Sequence, residues 1–315
     1  MTKVDLITGF LGAGKTTFIH RYLRHLHDQK ILIIENEFGS IGVDAQFLRD
    51  EGCPVEDLSG VCMCCKGRDR FIAMLINAGA HGYDRVLVEP SGIYDVDEFF
   101  SVMDVPAVAA CCEIGSVLAI VDAHAPENLS METGYLMVTQ LLAAGAVVLS
   151  KTQNLPAPGN AADTVSWLND LIRSYGGARA LDADVCTKDW EDLTEEDFES
   201  LMTCGYRHDP HRHVALNHGE IYDSFITAGY CRDEEDLKQK IAALLRDEHC
   251  ERYGHIFRVK GFLRDGDKNW YKVNCTRSDI SIEPAPNVRR GVLVIIGRDM
   301  NEAALGEVFP RKRRD

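Results

Sequence analysis

The sequence has no long hydrophobic run and is poor in basic residues. No apolar stretch reaches the roughly 20 residues of a membrane-spanning helix, so no membrane partner is expected. Only 34 Lys and Arg stand against 49 Asp and Glu, a net charge of −15. Because nucleic-acid binding depends on Lys and Arg contacts to phosphates, this balance argues against a nucleic-acid partner.

A signal-peptide pattern is also missing, since the N-terminus passes directly into an apolar strand pattern. We therefore expect a cytoplasmic location. Cysteine, by contrast, is plentiful, with 11 residues in 315. In a reducing compartment these are expected to be free thiols or metal ligands and not a disulfide framework.

Short, continuously apolar runs alternate with helical patterns through residues 1–205. The runs that predict strands lie at 4–8, 30–35, 85–89, 117–122 and 146–150. Helical patterns follow at 16–27, 66–79, 132–144 and 163–175. Buried strands separated by helices predict an α/β domain with a parallel sheet that is covered by helices on both faces.

The pattern changes in a polar stretch at 206–219, which we interpret as a linker. Residues 220–315 predict a smaller α+β domain with a mostly antiparallel sheet. Its expected elements are a strand at 221–230, a helix at 233–247, a hairpin of 255–264 with 269–276, a strand at 291–297, and a last helix that Asn301 caps.

The strongest motif is Gly9-Phe10-Leu11-Gly12-Ala13-Gly14-Lys15-Thr16, a phosphate-binding loop between a strand and a helix. Its glycines let the backbone N–H groups turn towards phosphate oxygens, and the helix adds its positive dipole end. Lys15 is expected to reach the β- and γ-phosphates, and the Thr16 hydroxyl to bind Mg²⁺. The predicted nucleotide-binding residues here are Gly12, Ala13, Gly14, Lys15, Thr16 and Thr17.

Further along, Glu89-Pro90-Ser91-Gly92 follows a buried strand. Glu89 would give the second acidic contact of a magnesium-bound triphosphate. Lys15 and Glu89 are the predicted catalytic residues. The N–H of Gly92 would sense the γ-phosphate. In the loop after the second strand, Asp44 would contact Mg²⁺ through water, and Glu37 could bind a metal.

Cys62, Cys64 and Cys65 are spaced for a compact soft-metal site. Three thiolates leave a fourth position for Glu37, a water or a partner's ligand. A redox cysteine pair and a buried apolar cluster remain alternatives.

The segment Ser150-Lys151-Thr152-Gln153 ends a strand where a base-reading loop would lie. Lys151 would cover the base, and Gln153 stands where guanine-reading loops carry an acid. An amide accepts a weaker hydrogen bond than a carboxylate, so ATP stays open beside GTP as the nucleotide.

These motifs together resemble the CobW-type P-loop GTPases, a metallochaperone family related to the GTPases that insert nickel into urease and hydrogenase. The resemblance also uses Asn36-Glu37-Phe38-Gly39 and, in the C-terminal part, Arg258-Val259-Lys260-Gly261-Phe262 and Val294-Ile295-Ile296-Gly297-Arg298. It implies a P-loop NTPase fold with slow GTP hydrolysis that serves to deliver Zn²⁺ or Co²⁺ to a client metalloprotein. The cargo ligands it implies are Cys62, Cys64, Cys65 and Glu37.

Two other functions stay open. The first is a P-loop kinase of a small metabolite, which would need an arginine-rich lid, yet no Arg lies between Arg85 and Arg173. The second is a nucleotide-binding regulatory module with structural zinc. A homodimer also stays open, as do the roles of His208, His211, His213 and His218.

Overall fold

The computed structural model describes residues 1–26, 28–36, 54–58, 63, 67–124, 129–155, 160–207, 209, 223–228, 230–246, 249–277, 279–285 and 291–310. Five predicted ligands lie outside these ranges: Glu37, Asp44, Cys62, Cys64 and Cys65. The same holds for the four histidines at 208, 211, 213 and 218. Contacts divide the chain into two units, Met1–Ala215 and Leu216–Asp315.

The first unit is an α/β layer structure. Its elements are β1 (Thr2–Thr8), α1 (Lys15–Leu23), β2 (Ile31–Glu35), β3 (Val55–Asp57), α2 (Arg68–Ala80), β4 (Arg85–Glu89), α3 (Val96–Met103), α4 (Pro106–Ala109), β5 (Cys112–Asp122), α5 (Met131–Ala143), β6 (Ala146–Ser150), α6 (Asn160–Ser174), β7 (Val185–Cys186) and α7 (Glu195–Met202), with 3₁₀ turns at Thr152–Asn154 and Trp190–Asp192.

Seven strands form one sheet in the order β3-β2-β4-β1-β5-β6-β7, and every pair is parallel. Two hydrophobic clusters cover its faces, one containing Val4 and Leu6 and the other Ile7 and Phe18. The predicted parallel sheet with helices on both faces is confirmed. In a parallel sheet all strands end at the same edge, so the segments after β1, β2, β4, β5 and β6 lie along one edge.

The opposite end of the sheet is held by a buried ion pair between Asp5 and Arg85. The Asp5 carboxylate also accepts from the Ser116 N–H at 2.8 Å and from the Tyr22 hydroxyl at 3.3 Å. One side chain of β1 thus bonds to β4, β5 and α1. Burial raises the pKa of Tyr22 well above its usual value, and the Asp5 charge adds to that shift.

The second unit is an α+β structure, as predicted. Its elements are β8 (Asp223–Thr227), α8 (Glu234–Leu245), α9 (Cys250–Tyr253), β9 (His255–Arg264), β10 (Trp270–Thr276), β11 (Ile280–Pro284), β12 (Val292–Arg298) and α10 (Glu302–Val308). The sheet is antiparallel with the order β11-β10-β9-β12-β8. The Asn301 side chain accepts from the Ala304 N–H at 3.2 Å and caps α10 as predicted.

Some bounds differ from the prediction. The first helix ends at Leu23 and not at His27, and the strand predicted to end at Tyr230 ends at Thr227. Tyr206 and Arg207, predicted to begin the linker, bond back to the end of α5, and the Arg207 N–H donates to the Ala143 carbonyl at 2.9 Å.

Across the described ranges, no helix has both the length and the apolar character needed to cross a bilayer.

Candidate nucleotide and metal site

The phosphate loop joins β1 to α1 and depends on glycine at three positions. Gly12 and Gly14 have φ angles of 78° and 97°, in the left-handed region that other residues rarely adopt. At Gly9, an added Cβ would lie 2.2 Å from the Ile120 carbonyl oxygen. The loop therefore lies directly against β5 and turns its backbone as a phosphate-binding nest requires.

Two side chains at the start of α1 contact other residues of the predicted nucleotide site. The buried Lys15 ammonium donates to the carbonyls of Gly9 at 3.0 Å and Phe10 at 3.4 Å. The Thr16 hydroxyl donates to Glu89 Oε1 at 2.8 Å. Thr17, the next residue, is exposed.

This pairing of Thr16 with Glu89 brings together the two groups that we predicted as Mg²⁺ contacts. Glu89 ends β4 and is buried, so its carboxylate is held at the carboxyl edge of the sheet. A hydroxyl and a carboxylate are the hard oxygen donors that Mg²⁺ selects. The residues present therefore fit a magnesium-bound nucleotide.

Gly92 lies against the phosphate loop. A Cβ at this position would be 2.3 Å from the Leu11 nitrogen and 2.7 Å from the Phe10 carbonyl carbon. The Gly92 carbonyl in turn accepts from the Gln140 side chain at 3.5 Å. A movement of the turn after β4 would therefore displace the phosphate loop. This fits the sensing role predicted for Gly92.

The predicted base-reading segment follows β6. Lys151 has a φ of 60°, and its ammonium donates to Asp122 Oδ2 at 2.8 Å. Oδ1 of the same carboxylate accepts from the His124 N–H at 3.0 Å. Gln153 is exposed on the short 3₁₀ turn. Lys151 is therefore anchored, and the amide of Gln153 faces solvent.

Sequence reasoning missed Asp122 and Trp190. A Cβ on Gly14 would lie 3.2 Å from the Trp190 ring and 3.9 Å from Ser150 Cβ, so the phosphate loop lies against both the indole and the start of the base-reading segment. Its Nε1 donates to the Leu149 carbonyl at 2.8 Å. The only sequence signal for Asp122 was an acid at the end of an apolar strand, and Trp190 had none.

Beyond β2, Asn36 connects Glu89 to the segment that carries the cysteine motif. Its N–H donates to the Glu89 carbonyl at 2.8 Å, and its side-chain Oδ1 accepts from the Met63 N–H at 3.4 Å. Met63, which stands between Cys62 and Cys64 in the sequence, is 1% exposed. Within the described residues, no three His, Cys, Asp or Glu side chains are grouped as metal ligands. The predicted cargo ligands lie outside those residues and stay a prediction.

The adjacent pair Cys111 and Cys112 brings two sulfurs to 3.8 Å. Burial, together with the hydrogen bond and charge of Cys111, raises the pKa of Cys112 to about 12. A thiol that stays protonated at neutral pH is a poor metal ligand and a poor nucleophile. We therefore assign no catalytic or metal-binding role to this pair.

Comparison with known proteins gives matches in both units. Residues 3–175 match the family model described as CobW/HypB/UreG, nucleotide-binding domain. Residues 226–311 match the model described as Cobalamin synthesis protein cobW C-terminal domain. The resemblance read from the motifs is therefore confirmed.

Individual relatives match over different shares of their length. The zinc chaperone YjiA of Escherichia coli (strain K12) is 35% identical over 163 residues, which cover 47% of this chain and 49% of YjiA. The chain spans about half the length of the first curated relatives that it matches. The zinc-regulated GTPase metalloprotein activator 1 of Schizosaccharomyces pombe is 22% identical and covers 95% of this chain and 82% of the relative. The crystal structure of Zn(II)-bound YjiA GTPase from E. coli is 22% identical, with a TM-score of 0.41 over 98% of both chains.

Proposed function

The chain belongs to the CobW/HypB/UreG family, and from that premise we propose that it is a GTP-binding and GTP-hydrolysing metal chaperone. In this proposal, nucleotide state controls the binding of a divalent metal, Zn²⁺ or Co²⁺, and its delivery to a client metalloprotein. The single observation that carries it is the contact of Thr16 with Glu89, 73 residues apart in sequence and 2.8 Å apart in space. The contact supports the proposal because it brings together a hydroxyl and a carboxylate that would hold a hard cation beside the phosphate loop.

The nucleotide would be held by groups from four strand ends. The backbone of Gly12, Ala13 and Gly14 would bind phosphate oxygens, and Lys15 would neutralise the β- and γ-phosphates. Bound Mg²⁺ would supply charge neutralisation on those phosphates. Thr16 and Glu89 would hold the ion, with Asp44 reaching it through water. Lys151 and Gln153 would meet the base.

A phosphate would compete with the loop carbonyls for the Lys15 ammonium. In this structure the ammonium donates to the carbonyls of Gly9 and Phe10. A phosphate oxygen is a stronger acceptor for it because the hydrogen bond is then between two charged groups. In the proposal, a phosphate oxygen of the nucleotide therefore accepts from the Lys15 ammonium.

The metal would be held by Cys62, Cys64, Cys65 and Glu37. Relatives named as zinc chaperones support zinc as cargo. Three thiolates and a carboxylate also suit a soft or borderline ion, because thiolates select such metals. We further propose a cytoplasmic location, supported by the free thiols of the seven described cysteines.

The test is a pair of titrations on the full chain. Zinc affinity is measured with and without Mg²⁺ and a non-hydrolysable GTP analogue, and GTP hydrolysis is measured with and without zinc. The proposal expects a zinc affinity that changes with nucleotide by about 5- to 150-fold, the usual range of coupling between two sites. Cys64→Ser should abolish tight zinc binding.

Cys111→Ser is the matched control, because Cys111 belongs to an adjacent pair to which we give no metal role. Lys15→Ala should remove the nucleotide effect and leave zinc binding in place. Zinc affinities that are equal in both nucleotide states would refute coupling. Zinc binding that survives Cys64→Ser and Cys62→Ser together would refute the ligand set.

A further inference from the structure

We propose that Asn36 is the positioning residue that links the nucleotide site to the cysteine-motif segment and sets how strongly nucleotide changes zinc affinity. This inference rests on the proposed function and goes beyond it by assigning the coupling to one side chain. Asn36 forms hydrogen bonds to the backbone of Glu89, Leu58 and Met63. Its role is to hold two other segments in register.

The link is a short, continuous path of hydrogen bonds. The Thr16 hydroxyl donates to the Glu89 side chain at 2.8 Å. The backbone carbonyl of Glu89 accepts from the Asn36 N–H at 2.8 Å. Asn36 Oδ1 then accepts from the Met63 N–H at 3.4 Å. Three hydrogen bonds therefore lead from the first turn of α1 to Met63, which lies between Cys62 and Cys64 in the sequence.

The Asn36 amide also clamps the end of β3. Its Nδ2 donates to the Leu58 carbonyl at 3.0 Å, and the Leu58 N–H donates to the Glu35 carbonyl at 2.9 Å. Asn36 is 3% exposed. A buried amide must keep its partners, because a buried polar group without them is strongly unfavourable. A shift of the Glu89 backbone therefore carries Asn36, Leu58 and Met63 with it.

At the end of this path, Met63 is held by burial of its side chain. Its side chain is 1% exposed and belongs to the same hydrophobic cluster as Phe71 and Tyr94. Tyr94 follows the turn after Glu89, and its N–H donates to the Ser91 carbonyl at 3.0 Å. Packed clusters of this kind move between discrete arrangements and do not deform gradually. Met63 and Tyr94 thus share one packed cluster, and the Asn36 side chain joins the Met63 backbone to the strand end at Glu89.

Asparagine is the side chain that this position needs. Its oxygen accepts from Met63 while its NH₂ donates to Leu58, and no carboxylate can do both. Asn36→Asp keeps the size and the acceptor but places a second acceptor against the Leu58 carbonyl. Asn36→Ala removes both bonds. The two variants thus separate the clamp on Leu58 from the whole bridge.

The chain contains a matched control in Asn169. It forms the same double bridge to backbone groups, donating to the Leu181 carbonyl at 3.1 Å and accepting from the Leu181 N–H at 2.7 Å. Asn169 lies on α6, and both of these bonds go to the segment between α6 and β7. Asn169→Ala therefore removes an equivalent bridge that has no place on the path.

The experiment measures the zinc affinity of the full chain by competition with a chromophoric chelator. Each variant is titrated with and without Mg²⁺ and guanylyl imidodiphosphate. Asn36→Ala should bring the ratio of the two zinc affinities to within about twofold of unity. Zinc binding without nucleotide, and nucleotide binding without zinc, should change by less than about threefold. Asn169→Ala should keep the wild-type ratio.

A second measurement uses the wild-type protein and so does not depend on a variant that folds. Amide hydrogen exchange at Met63 should change by about tenfold or more when the analogue binds, whereas exchange at Leu181 should not change. A wild-type ratio of unity would refute the proposed function and this inference with it. A coupled wild type whose ratio survives Asn36→Ala, or whose Met63 exchange ignores the analogue, would refute the assignment of Asn36 alone.

Discussion

At the scale of single residues, Glu89 contributes two separate hydrogen-bond acceptors to the site. Its side chain bonds to Thr16, and its backbone carbonyl bonds to Asn36. One residue at the end of β4 therefore meets both the predicted Mg²⁺ site and the segment beyond β2. Its charge and its backbone position can be tested separately, because only the charge changes when Glu becomes Gln.

Glu89→Gln should lower GTP hydrolysis by about 100-fold or more, because the predicted magnesium contact loses its charge. The neutral amide can still accept from the Thr16 hydroxyl, so the fold and the Asn36 bond should persist. Phosphate release under saturating nucleotide measures the effect. Glu113→Gln is the control, since Glu113 lies exposed near the start of β5, at the far end of the sheet. Equal rates for Glu89→Gln and the wild type would remove Glu89 from the site.

Gln153→Asp should raise GTP affinity by about tenfold, because a carboxylate accepts a stronger hydrogen bond from guanine than an amide does. The gain should be smaller for inosine triphosphate, whose base lacks the 2-amino donor. Isothermal titration with both nucleotides measures the ratio. Asn154→Asp adds the same charge one residue away on the same exposed turn. If both variants shift the two nucleotides equally, Gln153 does not face the base.

At the scale of elements, the apolar runs were sufficient for β1, β2, β4 and β6, which are buried along their whole length or nearly so. The strands β3 and β7 were missed because they contain three and two residues, too few for any periodicity. The helix α7 was missed although a capping box of Thr194 and Asp197 marks its start.

In the candidate site too, some residues could be predicted from the sequence and others could not. Residues inside local motifs, such as Lys15 and Thr16, could be predicted because loop and helix are adjacent in sequence. Asp122 and Trp190 could not, because their partners lie 29 and 41 residues away along the chain. Their proximity follows from the sheet order, in which β5 and β6 are neighbours and β7 lies beside β6, and no short motif reports that order.

An arginine, Arg179, joins the segment before β7 to the end of α5. The Arg179 side chain is fully buried and donates to the carbonyls of Leu141 and Ala144 at the end of α5. It also pairs with Asp184, just before β7. Arg179→Met should cost about 3–5 kcal/mol of unfolding free energy, because the carbonyls and the carboxylate lose their partner. Urea unfolding measures this cost.

The same pair predicts a dependence on pH. Burial alone would raise the pKa of Asp184, but the hydrogen bonds from Arg179 and from the Asp182 backbone outweigh it, so the pKa lies below 3.8. A depressed carboxyl pKa contributes stability above the unfolded value, and this stability is lost as the pH falls through the folded value. The difference between wild type and Arg179→Met should therefore shrink below about pH 4. Arg173→Met, which breaks an exposed pair with Asp170, should cost less than about 0.5 kcal/mol at any pH.

At the scale of the whole molecule, both units contain cysteines whose thiol pKa is raised. Burial is the main cause that raises the pKa of Cys112 to about 12 and of Cys204 to about 11 in the first unit. In the second unit it raises the pKa of Cys231 to about 11 and of Cys275 to about 12. The thiolate is the reactive form, so these four should react slowly with alkylating reagents at neutral pH. Their slow alkylation leaves the faster-reacting cysteines, among which a metal ligand can be recognised by its protection.

Zinc should then protect one group of cysteines selectively. One equivalent of zinc is expected to slow alkylation of Cys62, Cys64 and Cys65 by about tenfold or more, because a metal-bound thiolate is not free to attack. The partly buried Cys250, which is remote from the motif in sequence, serves as the in-chain reference and should react at the same rate with and without zinc. Peptide mass spectrometry after timed labelling measures every site in a single experiment. Protection of all cysteines alike would indicate global stabilisation, and fast alkylation of the motif in the presence of zinc would show that zinc is held elsewhere.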